Sequence, residues 1–322
     1  MGIPLFLAQL GERVLDTLRK MGIITLCKSI KKINEFKDEA KEILANVEEE
    51  GNVCSNDYKK WQETYRINTV ACSSFISGQL CGLEGIDFDI SRRKIAYFGS
   101  ASACISDDVI DKNPDLDARR FRFLDSQYHS NGKDDETQRL FYTFHSGLEN
   151  LLPNEFKERF NQLIEKYNQF QEMAGDLKKD ITPEEVLNIK NGTGGYPILL
   201  LHRMMFPRYW DIPQNFSPNY DSSNIILPRT KDEAIFNFGA LISRIDDLSD
   251  LEWDLKDSRK SLATEKLVTW NSLNEDIKYV KEGLARFYPD KRVKSAMRLY
   301  SAPTMHAVHN IENLVYKIRS KK

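Results

Sequence analysis

The stretch Phe238-Gly-Ala-Leu-Ile-Ser-Arg-Ile-Asp-Asp-Leu-Ser-Asp-Leu-Glu-Trp-Asp254 reads as an apolar helix that turns acidic at its end. At helical spacing Asp246, Asp250 and Asp254 fall at i, i+4 and i+8, a line of carboxylates along one face, with Asp247 beside them. Like charges at i, i+4 destabilise a helix by ~0.2–0.5 kcal/mol, and carboxylates at a C-terminus also oppose the helix dipole. Something cationic is expected to offset that cost. Lys256, Arg259 and Lys260 follow, suited to the oxygens of a diphosphate.

A second segment repeats the pattern. Ile95-Ala-Tyr-Phe-Gly-Ser-Ala-Ser-Ala-Cys-Ile-Ser-Asp-Asp-Val-Ile-Asp111 is again an apolar, small-residue helix whose last turn carries Asp107, Asp108 and Asp111. Asp107 and Asp111 share a face, with Asp108 at its edge. One acidic turn reads equally well as a solvated surface or a cap. Two copies of Asp-Asp-x-x-Asp, each on an otherwise apolar helix, are hard to place on two exposed faces. Hard oxygen ligands of this kind suit Mg²⁺, which keeps several waters and is held by one or two carboxylates plus phosphate oxygens of a substrate.

Outside these segments apolar residues recur at helical spacing almost throughout, as in Phe160, Leu163, Ile164, Tyr167 and Phe170, and alternating strand runs are nearly absent. The expected fold is all-α: a single large helical bundle of about ten or more helices around a central cavity. Breaks are expected at 49–56, 82–89, 112–115, 130–135, 180–183, 206–228 and 288–291, and a break or kink at Gly192-Thr-Gly-Gly195 that widens the cavity beside Lys190. The segment 207–228, with Pro207, Pro213, Pro218 and Pro228, reads as an active-site cover or an ordered insertion.

Over 322 residues, 46 Lys plus Arg stand against 48 Asp plus Glu, a formal charge of −2 that gives no field for nucleic acid. The 5 cysteines are scattered and form no Cys-x-x-Cys pair, against both a disulfide framework and a thiolate zinc site. The histidines show no motif of a metal site, and neither a phosphate-binding Gly-rich loop nor a Gly-x-Ser-x-Gly elbow occurs. No run approaches the roughly 20 apolar residues needed to span a bilayer, and residues 1–26 lack the order of a signal peptide. A cytoplasmic location is the expectation. The amphipathic start (Leu5, Leu7, Leu10, Val14, Leu15, Leu18) packs on its own protein in the simplest reading and lies on a membrane in the other.

At its two acidic segments the chain resembles the class I isoprenoid synthase superfamily, which includes trans-prenyl diphosphate synthases, terpene cyclases and squalene or phytoene synthases. The resemblance is strongest over 239–264, where Gly239, Asp246, Asp247, Asp250, Asp254 and Lys260 follow the order found in elongating enzymes. Lys190, in Ile189-Lys-Asn-Gly-Thr-Gly-Gly-Tyr-Pro197, is similar to the family lysine that touches diphosphate. The resemblance implies N-terminal helices over 1–55 and a catalytic domain over 56–322. It also implies a Mg²⁺ cluster, of three ions, held by Asp107, Asp108, Asp111, Asp246, Asp250 and Asp254, with Asp247 completing the second motif. Lys190, Arg203, Arg259 and Lys260 are the implied diphosphate contacts, and Ser102 and Ala103, one turn above the first motif, would leave room for a long hydrocarbon tail.

The implied activity is ionisation of an allylic isoprenyl diphosphate, farnesyl or longer. Elongating enzymes bind isopentenyl diphosphate through a Gly-Gly-Lys-Arg-type segment, which this chain lacks, and an Arg-Arg-Gly. Here Arg119 and Arg120 are followed by Phe121. A one-substrate terpene synthase is therefore the leading expectation, a prenyltransferase (elongating or head-to-head) the second, and a catalytically silent helical partner the third. A second copy of the chain is a further candidate partner.

Overall fold

The helices arise where apolar and small residues recur every three or four positions, so that most bury one side, whereas the stretches 198–205 and 234–241 are buried all round. A computed structural model describes residues 23–51, 66–112, 136–154, 157–175, 181–206, 227–256, 258, 260–301 and 304–305. Within these, every regular element is helical. The long helices are α1 (Ile23–Gly51), α2 (Arg66–Glu84), α3 (Ile90–Lys112), α4 (Glu136–Leu151), α5 (Lys157–Gly175), α6 (Pro183–Met205) and α7 (Lys231–Ser249). The short α8 (Leu251–Lys256) continues α7, and α9 (Leu273–Ala285) and α10 (Asp290–Ala296) follow.

Helix ends are specified locally. Gly85 closes α2 with φ +70, a left-handed conformation that costs glycine little, while Ile86 N–H donates to the Cys81 carbonyl. Thr182 opens α6 with a reciprocal capping box: its hydroxyl accepts from Glu185 N–H, and the Glu185 carboxylate accepts from Thr182 N–H. Pro183 occupies the first turn, where its missing N–H is not needed. Thr230 caps α7 through Glu233 N–H.

Three of the expected breaks fall on turns: 85–89, 181–182 and 286–289. The expected break at Gly192–Gly195 does not form. Those glycines lie inside an uninterrupted α6, which also absorbs Pro197. Their role is contact, because α6 packs along α7 more extensively than any other described pair of helices. A Cβ on Gly194 would lie 2.4 Å from Ser243 Cβ, one on Gly195 2.4 Å from the Phe236 ring, and one on Gly239 2.5 Å from the Gly194 carbonyl oxygen. The two backbones therefore meet at Gly194, Gly195 and Gly239 without intervening side chains.

The core runs through all these helices, with Tyr97, Phe144, Phe236 and Phe238 among its largest fully buried side chains. Helix α1 belongs to it: Phe36, Ala40 and Leu44 are buried and α1 packs on α2. Among the described residues no helix is long and apolar enough to cross a membrane. The amphipathic segment 5–18, the segment 207–226, Arg119 and Arg120 lie outside the described residues.

Candidate functional site

The acidic end of α7 is shaped by its packing on α6. Asp250 leaves the helix (φ −93, ψ 1), so the expected single helix divides there into α7 and α8. The row survives the division. Asp250 N–H still donates to the Asp246 carbonyl at 2.9 Å and Asp254 N–H to the Asp250 carbonyl at 3.0 Å, which keeps Asp246, Asp250 and Asp254 at successive turns.

The four aspartates have different surroundings. Asp246 and Asp250 are exposed, whereas Asp254 is buried. Asp246 keeps an open face but is backed by protein, and that burial, followed by the charges of Asp250 and Asp247, pushes its carboxyl up to about 6 against a lowering pull from Lys190. Asp247 is turned inward. Its Oδ1 accepts from Lys190 Nζ at 2.7 Å and its Oδ2 from Leu262 N–H at 2.8 Å. Asp247 thus joins α7 to α6 and to the turns after α8, a fastening role rather than that of a ligand with open oxygens.

The lysines are engaged as well. Lys190 is held on Asp247, at the margin of the acidic row. Lys260 Nζ donates to the Ile181 carbonyl at 2.8 Å, so it ties the segment after α8 to the start of α6. Arg203 does not reach the acidic row. It lies thirteen residues beyond Lys190 on α6, about 20 Å along the axis, is 2% exposed and pairs with Asp232 at the opposite end of α7. A guanidinium at full burial needs a carboxylate more than solvent-facing chemistry needs it there.

Two expectations concern α3. Ser102 is completely buried and its hydroxyl has no hydrogen-bond partner among the described residues, while Ala103 is partly exposed. Nearby, Tyr97 donates to Glu39 and Phe98 packs on Phe144, both core roles. The backbone of α3 runs through Asp107, Asp108 and Asp111 to Lys112, but their side chains, like Arg259, lie outside the described residues.

One residue that sequence patterns did not single out borders the row. Cys72 on α2 is exposed on one side, and burial on the other together with the charge of Asp246 raises its thiol. A lone cysteine carries no spacing signal that could have marked it. Among the described residues no three His, Cys, Asp or Glu side chains are gathered as a metal-binding group. The donors of the second segment form a row rather than a cage, an arrangement that suits a cation keeping water and substrate oxygens in its shell.

No family model matches the chain, and no curated protein matches it. Among solved structures, the chain is similar to a geranyltransferase from Legionella pneumophila, with 13% identity over 90% of this chain and 98% of that one and a TM-score of 0.46.

Proposed function

We propose that the protein is a Mg²⁺-dependent enzyme of allylic isoprenyl diphosphates, acting first as a class I terpene synthase. The observation that carries this reading is the row of Asp246, Asp250 and Asp254, continuous across α7 and α8 and set beside Lys190 by the glycine contacts of α6 with α7. The resemblance of both acidic segments to the isoprenoid synthase motifs supports it, as does an all-helical fold.

The donor set fits a hard divalent cation: oxygen ligands only, accumulated like charge, and an open face at Asp246 and Asp250. Asp246, Asp250 and Asp254, with Asp107, Asp108 and Asp111 of the first segment, would hold Mg²⁺, which when bound supplies Lewis-acid stabilisation of a departing diphosphate. Asp247 keeps the row in place through Lys190 and Leu262. Lys190, and Lys260 if released from Ile181, would supply ammonium groups to diphosphate oxygens, and Arg259 a guanidinium. Apolar helix faces would enclose the allylic cation away from water. Arg203 has no part in this chemistry. Prenyl transfer is the second reading, favoured by aspartate at all three positions of the row, as in elongating enzymes.

The test is incubation of the protein with Mg²⁺ and geranyl, farnesyl or geranylgeranyl diphosphate, each with and without isopentenyl diphosphate, followed by diphosphate release and mass spectrometry. Hydrocarbon or alcohol from one allylic substrate supports the terpene synthase, and doubled carbon a coupling enzyme. A longer diphosphate that needs isopentenyl diphosphate supports elongation. No consumption in any arm overturns the reading.

A further inference from the structure

Away from the acidic row, the outer side of α2 forms a recess with α1, the start of α3 and α10, of about 330 Å³. Three rings, Phe36, Phe75 and Phe88, give it an apolar wall, and two cations, Lys32 and Arg93, stand in its lining. We propose that this recess is a binding site for a small amphipathic anion, its apolar body against the three phenylalanines and its carboxylate or phosphate head on Arg93 and Lys32.

Helix α2 leaves the space open by what it lacks. Gly78 and Gly82, one turn apart, both line the recess. Gly78 has a packing reason, since a Cβ there would lie 3.3 Å from the Phe88 ring. A Cβ on Gly82 would meet nothing within 4 Å. Glycine inside a helix is unfavourable relative to alanine, and no contact among the described residues requires it at Gly82. The bare backbone keeps the recess at the small end of ligand-site volumes, ~300–1,000 Å³.

The cations retain donors for a ligand. Arg93 gives its Nε to Glu39 at 2.9 Å and Nη1 to the Phe88 carbonyl at 3.1 Å, which fixes the guanidinium while its second amino group has no hydrogen-bond partner among the described residues. Lys32 lies 4.8 Å over the Phe36 ring and donates to Glu35, an exposed pair that a ligand anion can displace or share. Apolar wall and fixed guanidinium together select a molecule with one charged end, not a free inorganic anion or a neutral hydrocarbon.

The experiment is calorimetric titration of the full chain, without Mg²⁺, with decanoate, decyl phosphate and decanol below their aggregation limits, on wild type, Gly82→Leu and Lys32→Ala. The anions are expected to bind at least tenfold more tightly than decanol, and the relative strength of decanoate and decyl phosphate assigns the head group. Gly82→Leu should weaken both anions at least tenfold with no loss of helix content or melting temperature, and Lys32→Ala should weaken the anions several-fold while leaving decanol unaffected. No anion binding by wild type overturns the proposal, as does full binding by Gly82→Leu. Since no diphosphate turnover is read, the outcome is independent of the function proposed above.

Discussion

Lys190 Nζ lies 2.7 Å from Asp247 Oδ1, and this pair, 14% and 3% exposed, fastens the middle of α6 to the acidic end of α7. The carboxylate cannot be spared its partner, because Leu262 N–H satisfies only the other oxygen. Lys190→Met is therefore expected to cost about 3–5 kcal/mol, the range for leaving one buried charge uncompensated. Urea unfolding of Lys190→Met, Asp247→Asn and the double variant measures it. A loss below ~1 kcal/mol in Lys190→Met would mark the pair as an ordinary surface ion pair.

Asp246 should make the protein less stable as pH rises. Its native carboxyl titrates near 6, raised by burial and by Asp250 and Asp247, against 3.8 when unperturbed. Between those values the native state holds the proton more tightly than the unfolded chain, so stability falls as pH increases through that window. Asp246→Asn should then melt higher than wild type at neutral pH without divalent cation, and no higher at about pH 4. Added Mg²⁺ should raise the melting temperature of wild type and not of the variant. Equal melting curves across the range would contradict both statements.

His202 supplies the opposite slope. Burial lowers its imidazole below the usual 6.5, against the raising influence of Glu84, whose carboxylate lies 2.9 Å from Nε2. The unfolded chain takes up a proton that the native state refuses, so this group's contribution is lost as pH falls below about 6.5. His202→Gln, whose amide can also donate to Glu84, is expected to flatten the decline of stability between about pH 6.5 and 5. Chemical unfolding at several pH values in that interval checks it, and an unchanged slope would assign the decline to other groups.

Gly239 and Gly82 should respond in opposite directions to the same change. Gly239→Ala places a methyl 2.5 Å from the Gly194 carbonyl oxygen and 2.9 Å from Gly195 Cα, both backbone atoms that cannot rotate away. Overpacking of this kind costs typically ~1–3 kcal/mol, and it should also displace α6 from α7 and weaken the Lys190–Asp247 contact. Gly82→Ala meets open space and should gain roughly 0.5–1 kcal/mol from helix propensity alone. Paired thermal melts decide both, and destabilisation by Gly82→Ala would mean that the recess is filled.

The recurrence of apolar residues and the row of Asp246, Asp250 and Asp254 were legible in the sequence because both depend on helical spacing within a few turns, a local property of the chain. The same locality made breaks legible over 82–89 and 180–183, where Gly85 ends one helix and Thr182 and Pro183 begin another. What the spacing could not tell was which neighbour each charged group would meet. Lys190 finds Asp247 across 57 residues and Lys260 finds the Ile181 carbonyl across 79, while Arg203, on the helix that carries Lys190, pairs with Asp232 at its far end. The pairs Lys190–Asp247 and Arg203–Asp232 follow from the antiparallel contact of α6 with α7. That contact also turned Gly194 and Gly195 from part of an expected break into an interface, because a glycine reads alike in sequence whether it frees the backbone or lets a second backbone approach. The acidic row was thus determined by spacing alone, whereas the division between Asp246 and Asp250 with an open face and Asp247 bound inward was decided by tertiary packing, since desolvation and partner charges exist only once the helices meet.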